Sequence, residues 1–207
     1  MTSRLISPLV RGALGVAVLL GLSGATAVSA QSAQKVSVQF AALATSINGT
    51  GSSSIAGLGI EPQLRYNLVY AREQLAGFSL GLGAQWTSHS KGGENMKIKG
   101  LFLEPRWVPR SVQTKNREVI PYLSGRLALL NQSSDFGTSS MGAGFGAGVG
   151  LAISLSQTVN IDGGVQLVRQ TFGDFTFTNV GGNVGGSFNP FTTYAAKLGV
   201  TVGLPGK

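Results

Sequence analysis

The strongest constraint on this chain is an alternation of period two that sets apolar residues against glycine and charge. From residue 141 to 155 every second position is apolar: Met141, Ala143, Phe145, Ala147, Val149, Leu151, Ile153 and Leu155. The positions between them begin with five glycines, Gly142, Gly144, Gly146, Gly148 and Gly150. Successive side chains of a strand point to opposite faces, so this pattern predicts a strand with one apolar and one nearly bare face. Residues 58–68 repeat it with charge, Leu58, Ile60, Pro62, Leu64, Tyr66 and Leu68 opposing Gly59, Glu61, Gln63, Arg65 and Asn67. Phe78, Leu80, Leu82, Ala84 and Trp86 alternate in the same way with Ser79, Gly81, Gly83, Gln85 and Thr87. After Ala30 no stretch carries a sustained 3.6-residue apolar stripe.

Five weaker segments complete an even set of eight strands. Val36, Val38 and Phe40 oppose Ser37 and Gln39; Leu101, Leu103, Pro105 and Trp107 oppose Gly100, Phe102, Glu104 and Arg106. Leu123, Leu127 and Leu129 oppose Ser124, Arg126 and Ala128, and Val159, Ile161, Val165 and Leu167 oppose Asn160, Asp162, Gly164 and Gln166. Last come Tyr194, Ala196, Leu198, Val200, Val202 and Leu204 against Ala195, Lys197, Gly199, Thr201 and Gly203. The connections alternate as well. Segments near 71–76, 109–118 and 156–158 are expected as turns at one end, and segments near 47–55, 88–97, 132–140 and 171–190 as loops at the other. Pro62 and Pro105 each remove a ladder donor and are expected at bulges or tilted ends.

Alternation alone also fits a soluble, lipocalin-like barrel with its apolar face inside. A water-facing surface, however, has no use for five alternate glycines. A narrow interior does, because charged side chains reaching across a small barrel leave little room on the opposite wall. Apolar-out, polar-in strands with short turns at one end are the pattern of a membrane barrel, and closure leaves no unpaired edge in hydrocarbon. Tyr66, Tyr70, Phe78 and Trp107 near the turn end, with Trp86 near the loop end, would form interfacial girdles. The expected fold is therefore all-β, an eight-stranded antiparallel up-and-down transmembrane β-barrel.

The first thirty residues read differently. Arg4 and Arg11 precede a short apolar run at 12–22, and small residues lead to Val28-Ser29-Ala30. This predicts a signal peptide over 1–30 cut near Ala30, with Ala25-Thr26-Ala27 as a second possible site, ahead of a barrel over 31–207. The run is too short and glycine-rich to span a bilayer as a helical anchor. Losing Arg4 and Arg11 takes the formal charge from +8 to +6. The cations are dispersed, with groups at Lys91, Lys97 and Lys99 and at Arg110, Lys115 and Arg117. They read as solvated loops or contacts to anionic lipid headgroups, not as a nucleic-acid surface. There are no cysteines, so stability comes from elsewhere than disulfides.

Three segments carry a resemblance: GIEPQLRY (59–66), PYLSGRLALL (121–130) and GAGFGAGVGLAISLSQTVNIDGGVQL (142–167). The chain resembles the small outer-membrane β-barrel proteins of the opacity-protein and OmpA-transmembrane type. The likeness covers nearly all of residues 31–207 and implies the outer membrane of a Gram-negative-type bacterium. It also implies outer-membrane lipid and lipopolysaccharide as surroundings, and the barrel-assembly machinery as a partner. Lys197, Gly199, Val202 and Leu204 are similar to that family's terminal assembly signal, although family members often finish on an aromatic residue and this chain continues through Pro205-Gly206-Lys207.

Chemistry-bearing residues are few. His89, the single histidine, sits between Ser88 and Ser90; a Ser–His pair would also need an orienting carboxylate and an oxyanion site, so it reads as an exposed loop-end residue. One histidine, no cysteine and scattered carboxylates give no metal cluster, and no cofactor is expected. Gly144 and Gly146 open a G-x-G pattern, but Val149 stands at the third glycine position, and no βαβ context surrounds it. The inward charges Glu61, Arg65, Glu104, Arg106, Arg126, Asp162 and Lys197 are expected to form a buried polar network, with Glu104–Arg126 and Asp162–Lys197 as pairs. Such a plugged barrel points to a non-enzymatic structural or surface-interaction protein, with loops 88–97 and 171–190 facing partners. A narrow channel for small solutes or ions, and a lipid-modifying enzyme, are the alternatives.

Overall fold

The computed structural model describes residues 35–48, 54–70, 77–91, 93–109, 112–113, 117–135, 139–179, 182–187 and 189–204. The expected signal peptide lies outside them. Eight long strands make the barrel: β1 (Val36–Asn48), β2 (Ile55–Tyr70), β3 (Gly77–Lys91), β4 (Glu94–Val108), β6 (Glu118–Ser134), β7 (Ser139–Ser154), β8 (Val159–Phe172) and β11 (Phe191–Leu204). A two-residue strand, β5 (Val112–Gln113), pairs with the start of β6, and β9 (Asp174–Asn179) with β10 (Gly182–Ser187) forms a separate hairpin between β8 and β11. Neighbours in sequence pair antiparallel all the way round. The ring closes where β1 meets β11, from Val36↔Leu204 to Asn48↔Thr192. No barrel edge is left open, which is what hydrocarbon demands of a sheet.

Side-chain parity follows the sequence pattern. Leu129 and Met141 are each 68% exposed on the outside, and Leu101 and Phe145 each 61%. Glu61, Glu104 and Asp162, in contrast, are buried. Water-soluble packing would invert these values, so the apolar exterior identifies the lipid-facing wall.

The loop-end segments depart from expectation. Residues 88–91 and 94–97 belong to β3 and β4, and the ladder runs on as far as the Lys91–Glu94 pair. Gly93 has a φ of 90°, a conformation a Cβ disfavours. Polar side chains made this stretch read as loop, but the ladder is held by backbone groups and continues past the hydrocarbon. About 9–11 residues suffice for a tilted strand to cross, and β6 has 17. Likewise 171–190 is largely a hairpin of its own, with Phe172 and Phe191 closing the ends of β8 and β11.

The prolines are not at bulges. β2 pairs with β3 at Ile60↔Trp86 and again at Gln63↔Gly83, in the same register on either side of Pro62. β4 and β6 do the same around Pro105, from Leu103↔Leu127 to Arg106↔Ser124. Each proline keeps its other neighbour, through Phe40↔Pro62 and Leu80↔Pro105. The gap is one-sided because the missing N–H faces one strand only. The β2/β3 register shift falls elsewhere, between Asn67 and Val69.

Trp86 and Trp107, the two tryptophans, are 47% and 49% exposed on the outer face. In vesicles with brominated acyl chains, the emission of both should be quenched. Lumenal tryptophans, as in an inverted soluble barrel, would be untouched.

Candidate functional site

The interior divides into two levels. Toward the loop end, Ile47, Ile98, Phe102, Ala128, Leu130, Phe172 and Phe191 form one buried apolar cluster. The Phe172 and Phe191 rings stack at 5.6 Å. This layer is absent from the sequence reading, which put Phe102 inward but took Phe172 into a long loop. The signal was parity: Phe172 falls in step with Gln166 and Gln170 on the inward face of β8.

Below it lies a network of ions organised around Glu104, whose carboxylate is fully enclosed. Arg65 Nη2 donates to Glu104 Oε1 at 2.6 Å and Arg106 Nη2 to the same oxygen at 3.0 Å. Lys197 Nζ lies 3.1 Å from Oε2, Gln166 Nε2 donates to Oε2 at 2.8 Å, and Arg126 Nη1 stands 3.6 Å away. Glu61 is the second anion, 3.2 Å from Lys197 Nζ through Oε1. Arg126 Nη1 lies 2.8 Å from Glu61 Oε2, an ion pair whose angles fall short of a hydrogen bond. Arg126 also donates to Gln85 Oε1 at 2.6 Å and Gln166 Oε1 at 3.0 Å, and its guanidinium rests 3.7 Å from the centre of the Phe102 ring, joining the two levels.

The third anion departs from expectation. Asp162 is held by Arg106, Nη1 to Oδ2 at 2.6 Å, and by the Tyr122 hydroxyl, which donates to Oδ1 at 2.8 Å. Lys197 on the neighbouring strand points to Glu61 and Glu104 instead. In the β8/β11 register Lys197 faces Gly164 while Asp162 faces Gly199, so the two are offset by two residues, and a long lysine stem reaches the central carboxylates. Glu104 and Arg126 do meet, but Glu61 is the closer partner of Arg126. All seven charged residues thus fall in one connected cluster. Tyr122, Gln39, Gln63, Gln85 and Gln166 join it; sequence reasoning passed over them, though each lies on the inward parity.

The glycine face of β7 is the recess that this cluster needs. A Cβ on Gly148 would stand 2.6 Å from Gln166 Cγ, and one on Gly150 would meet the Tyr122 ring and lie 2.6 Å from the Gly163 carbonyl oxygen. Four cations and three carboxylates share the space, an excess of one positive charge.

His89 is not the exposed residue expected. It is buried inside the barrel, with Nε2 2.9 Å from Thr45 Oγ1 and its ring over Gly57. Ser88 and Ser90 are exposed on the opposite face of β3. Strand parity therefore separates the residues that a Ser–His hydrolase reading would have to join. Of the terminal residues, Lys197 and Gly199 face the lumen, while Val202 and Leu204 face outward where β11 pairs with β1.

An apolar outer wall, a closed ring of eight antiparallel strands and a charged interior define a small outer-membrane-type β-barrel. Comparison with solved structures agrees. The chain is similar to Neisserial surface protein A (NspA), with a TM-score of 0.59 and 18% identity over 82% of this chain and 97% of that one. It is also similar to outer membrane protein AlkL (TM-score 0.47, 12% identity, 89% and 97% covered) and to Ail of Yersinia pestis (TM-score 0.41, 10% identity, 81% and 98% covered). No protein-family description and no curated protein sequence matches the chain.

Proposed function

We propose that this protein is a closed outer-membrane anchor that presents its loop-end hairpins to the outside, a structural or surface-interaction barrel and not an open pore. The observation that carries this reading is the filled interior. The ion cluster joins side chains from β2, β3, β4, β6, β8 and β11 across the lumen, and an apolar cluster from β1, β4, β6, β8 and β11 narrows the loop end above it. An ion would have to break into that enclosed, salt-bridged cluster and then squeeze past the phenylalanine and isoleucine side chains, beside which Thr87, His89, Gln132 and Thr193 are also buried. The elements offered outward are the β3–β4 tip around 88–97 and the β9–β10 hairpin within 171–190.

Planar-bilayer recording tests the reading. The unsubstituted protein is expected to give a flat baseline, and the Phe102→Ala, Leu130→Ala double variant to give brief steps by thinning the apolar layer. Steady single-channel steps from the unsubstituted protein would replace the anchor with the narrow-channel reading. Lys197, Gly199, Val202 and Leu204 are proposed to serve in assembly, through a strand that pairs with β1 to complete the ring.

A further inference from the structure

We propose that the outer face of β3, β4 and β6 at the loop end binds the phosphorylated headgroup of a membrane lipid, with Lys97 and Lys99 as its phosphate ligands. The proposal rests on the barrel's place in a bilayer but not on its lumen being closed. The ladder registers place the residues. Trp86 on β3, Lys99 on β4 and Asn131 on β6 stand side by side in one row. Ser88, Lys97 and Ser133 form the next row toward the tip. One row toward the membrane centre the same face carries Ala84, Leu101 and Leu129, the last two among the most exposed apolar residues of the wall. Within three rows the surface passes from bare hydrocarbon contact to two cations with hydroxyl and amide neighbours.

Lys97 and Lys99 are both exposed, and strand geometry sets their Cα atoms about 7 Å apart. Among the described residues neither has an ion-pair partner. The carboxylate on this face, Asp135, lies beyond them at the tip and accepts from Asn95 Nδ2 at 2.8 Å. An exposed tryptophan beside Lys99 marks the water–hydrocarbon boundary, the depth at which lipid phosphates lie. An occupant must therefore join a multivalent anion to acyl chains: the lysines take the phosphate, and Leu101 and Leu129 take the chains. Soluble phosphate satisfies only the first half.

The test uses Trp86 as reporter in a Trp107→Phe background, with the full chain folded in neutral detergent micelles and titrated with lipid A. Each lysine near a charged headgroup is worth about fivefold in affinity. Lys99→Gln is thus expected to weaken the phosphate-dependent change in emission about fivefold, and Lys97→Gln with Lys99→Gln roughly 30-fold. Arg169→Gln, which removes an outward cation on β8, is expected to change it less than about twofold. Heat-modifiable gel mobility verifies that each variant is folded. Equal binding of dephosphorylated lipid A, saturation by inorganic phosphate alone, an unchanged double variant, or an Arg169→Gln loss equal to that of Lys99→Gln would each overturn the site. Failure of the bilayer reading itself shows up separately, as unquenched tryptophans in brominated vesicles.

Discussion

Glu104→Gln is expected to destabilise the barrel by about 3–5 kcal/mol, the usual cost of removing one partner from a buried ion cluster. The amide keeps the volume and some hydrogen bonding but removes the charge that Arg65, Arg106, Arg126 and Lys197 share at 2.6, 3.0, 3.6 and 3.1 Å. Four cations would then face two carboxylates in a space from which water is largely excluded. The measurement is the urea midpoint of unfolding from vesicles, where a shift at constant slope reports stability. Adding Lys197→Met to Glu104→Gln should restore part of the loss, since it returns the imbalance to one charge. Asp162→Asn is expected to cost less, because Asp162 has one cation, Arg106, and one hydroxyl, Tyr122. A Glu104→Gln midpoint within about 0.5 kcal/mol of the parent, as for an ordinary surface change, would refute the hub.

Gly150→Val is expected to prevent most of the chain from reaching the closed, heat-modifiable form. A Cβ at Gly150 meets the Tyr122 ring and stands 2.6 Å from the Gly163 carbonyl oxygen on β8. The ring could swing away only by giving up its hydrogen bond to Asp162 and its stacking on Arg106. The carbonyl cannot move without opening the β7–β8 ladder, where Gly150 faces Gly164. Overpacking an ordinary core costs about 1–3 kcal/mol, and an obstacle made of backbone leaves less room for relaxation. Ala147→Val, outward on the same strand, is the matched control and should fold as the parent does. If both variants folded equally well, the glycine face would not be a packing requirement.

These two experiments probe features that differ in how far the sequence showed them. The glycine face was legible because an absence of side chains at every second position has few physical explanations. It needed only the rule that alternate residues share a face. The same rule placed Glu61, Arg65, Glu104, Arg106, Arg126, Asp162 and Lys197 inside together. It could not say which carboxylate each cation would reach. Parity gives a side of the sheet but not a height, and arginine and lysine stems are long enough to pass over a neighbouring strand to the far wall. That is why Asp162 is held by Arg106 on β4 and not by Lys197 beside it.

Strand ends were misread for a related reason. Ser88, Ser90 and Lys97 look like loop because side-chain polarity marks where hydrocarbon stops, whereas the ladder stops where backbone pairing stops. His89 followed that error: once its hairpin is strand, parity turns the ring inward against Thr45. The prolines were misjudged because a strand sequence does not tell which neighbour its missing N–H faces.

The sequence by itself therefore determined the eight barrel strands, their faces and the sign of the wall, since these follow from covalent geometry and local pattern. Only the tertiary structure decided the ion pairing, the apolar layer under the loops and the rows that set Lys97 and Lys99 beside Trp86. Each of those depends on register and closure, which bring residues far apart in sequence, such as Glu61 and Lys197 at 136 positions, within hydrogen-bonding distance.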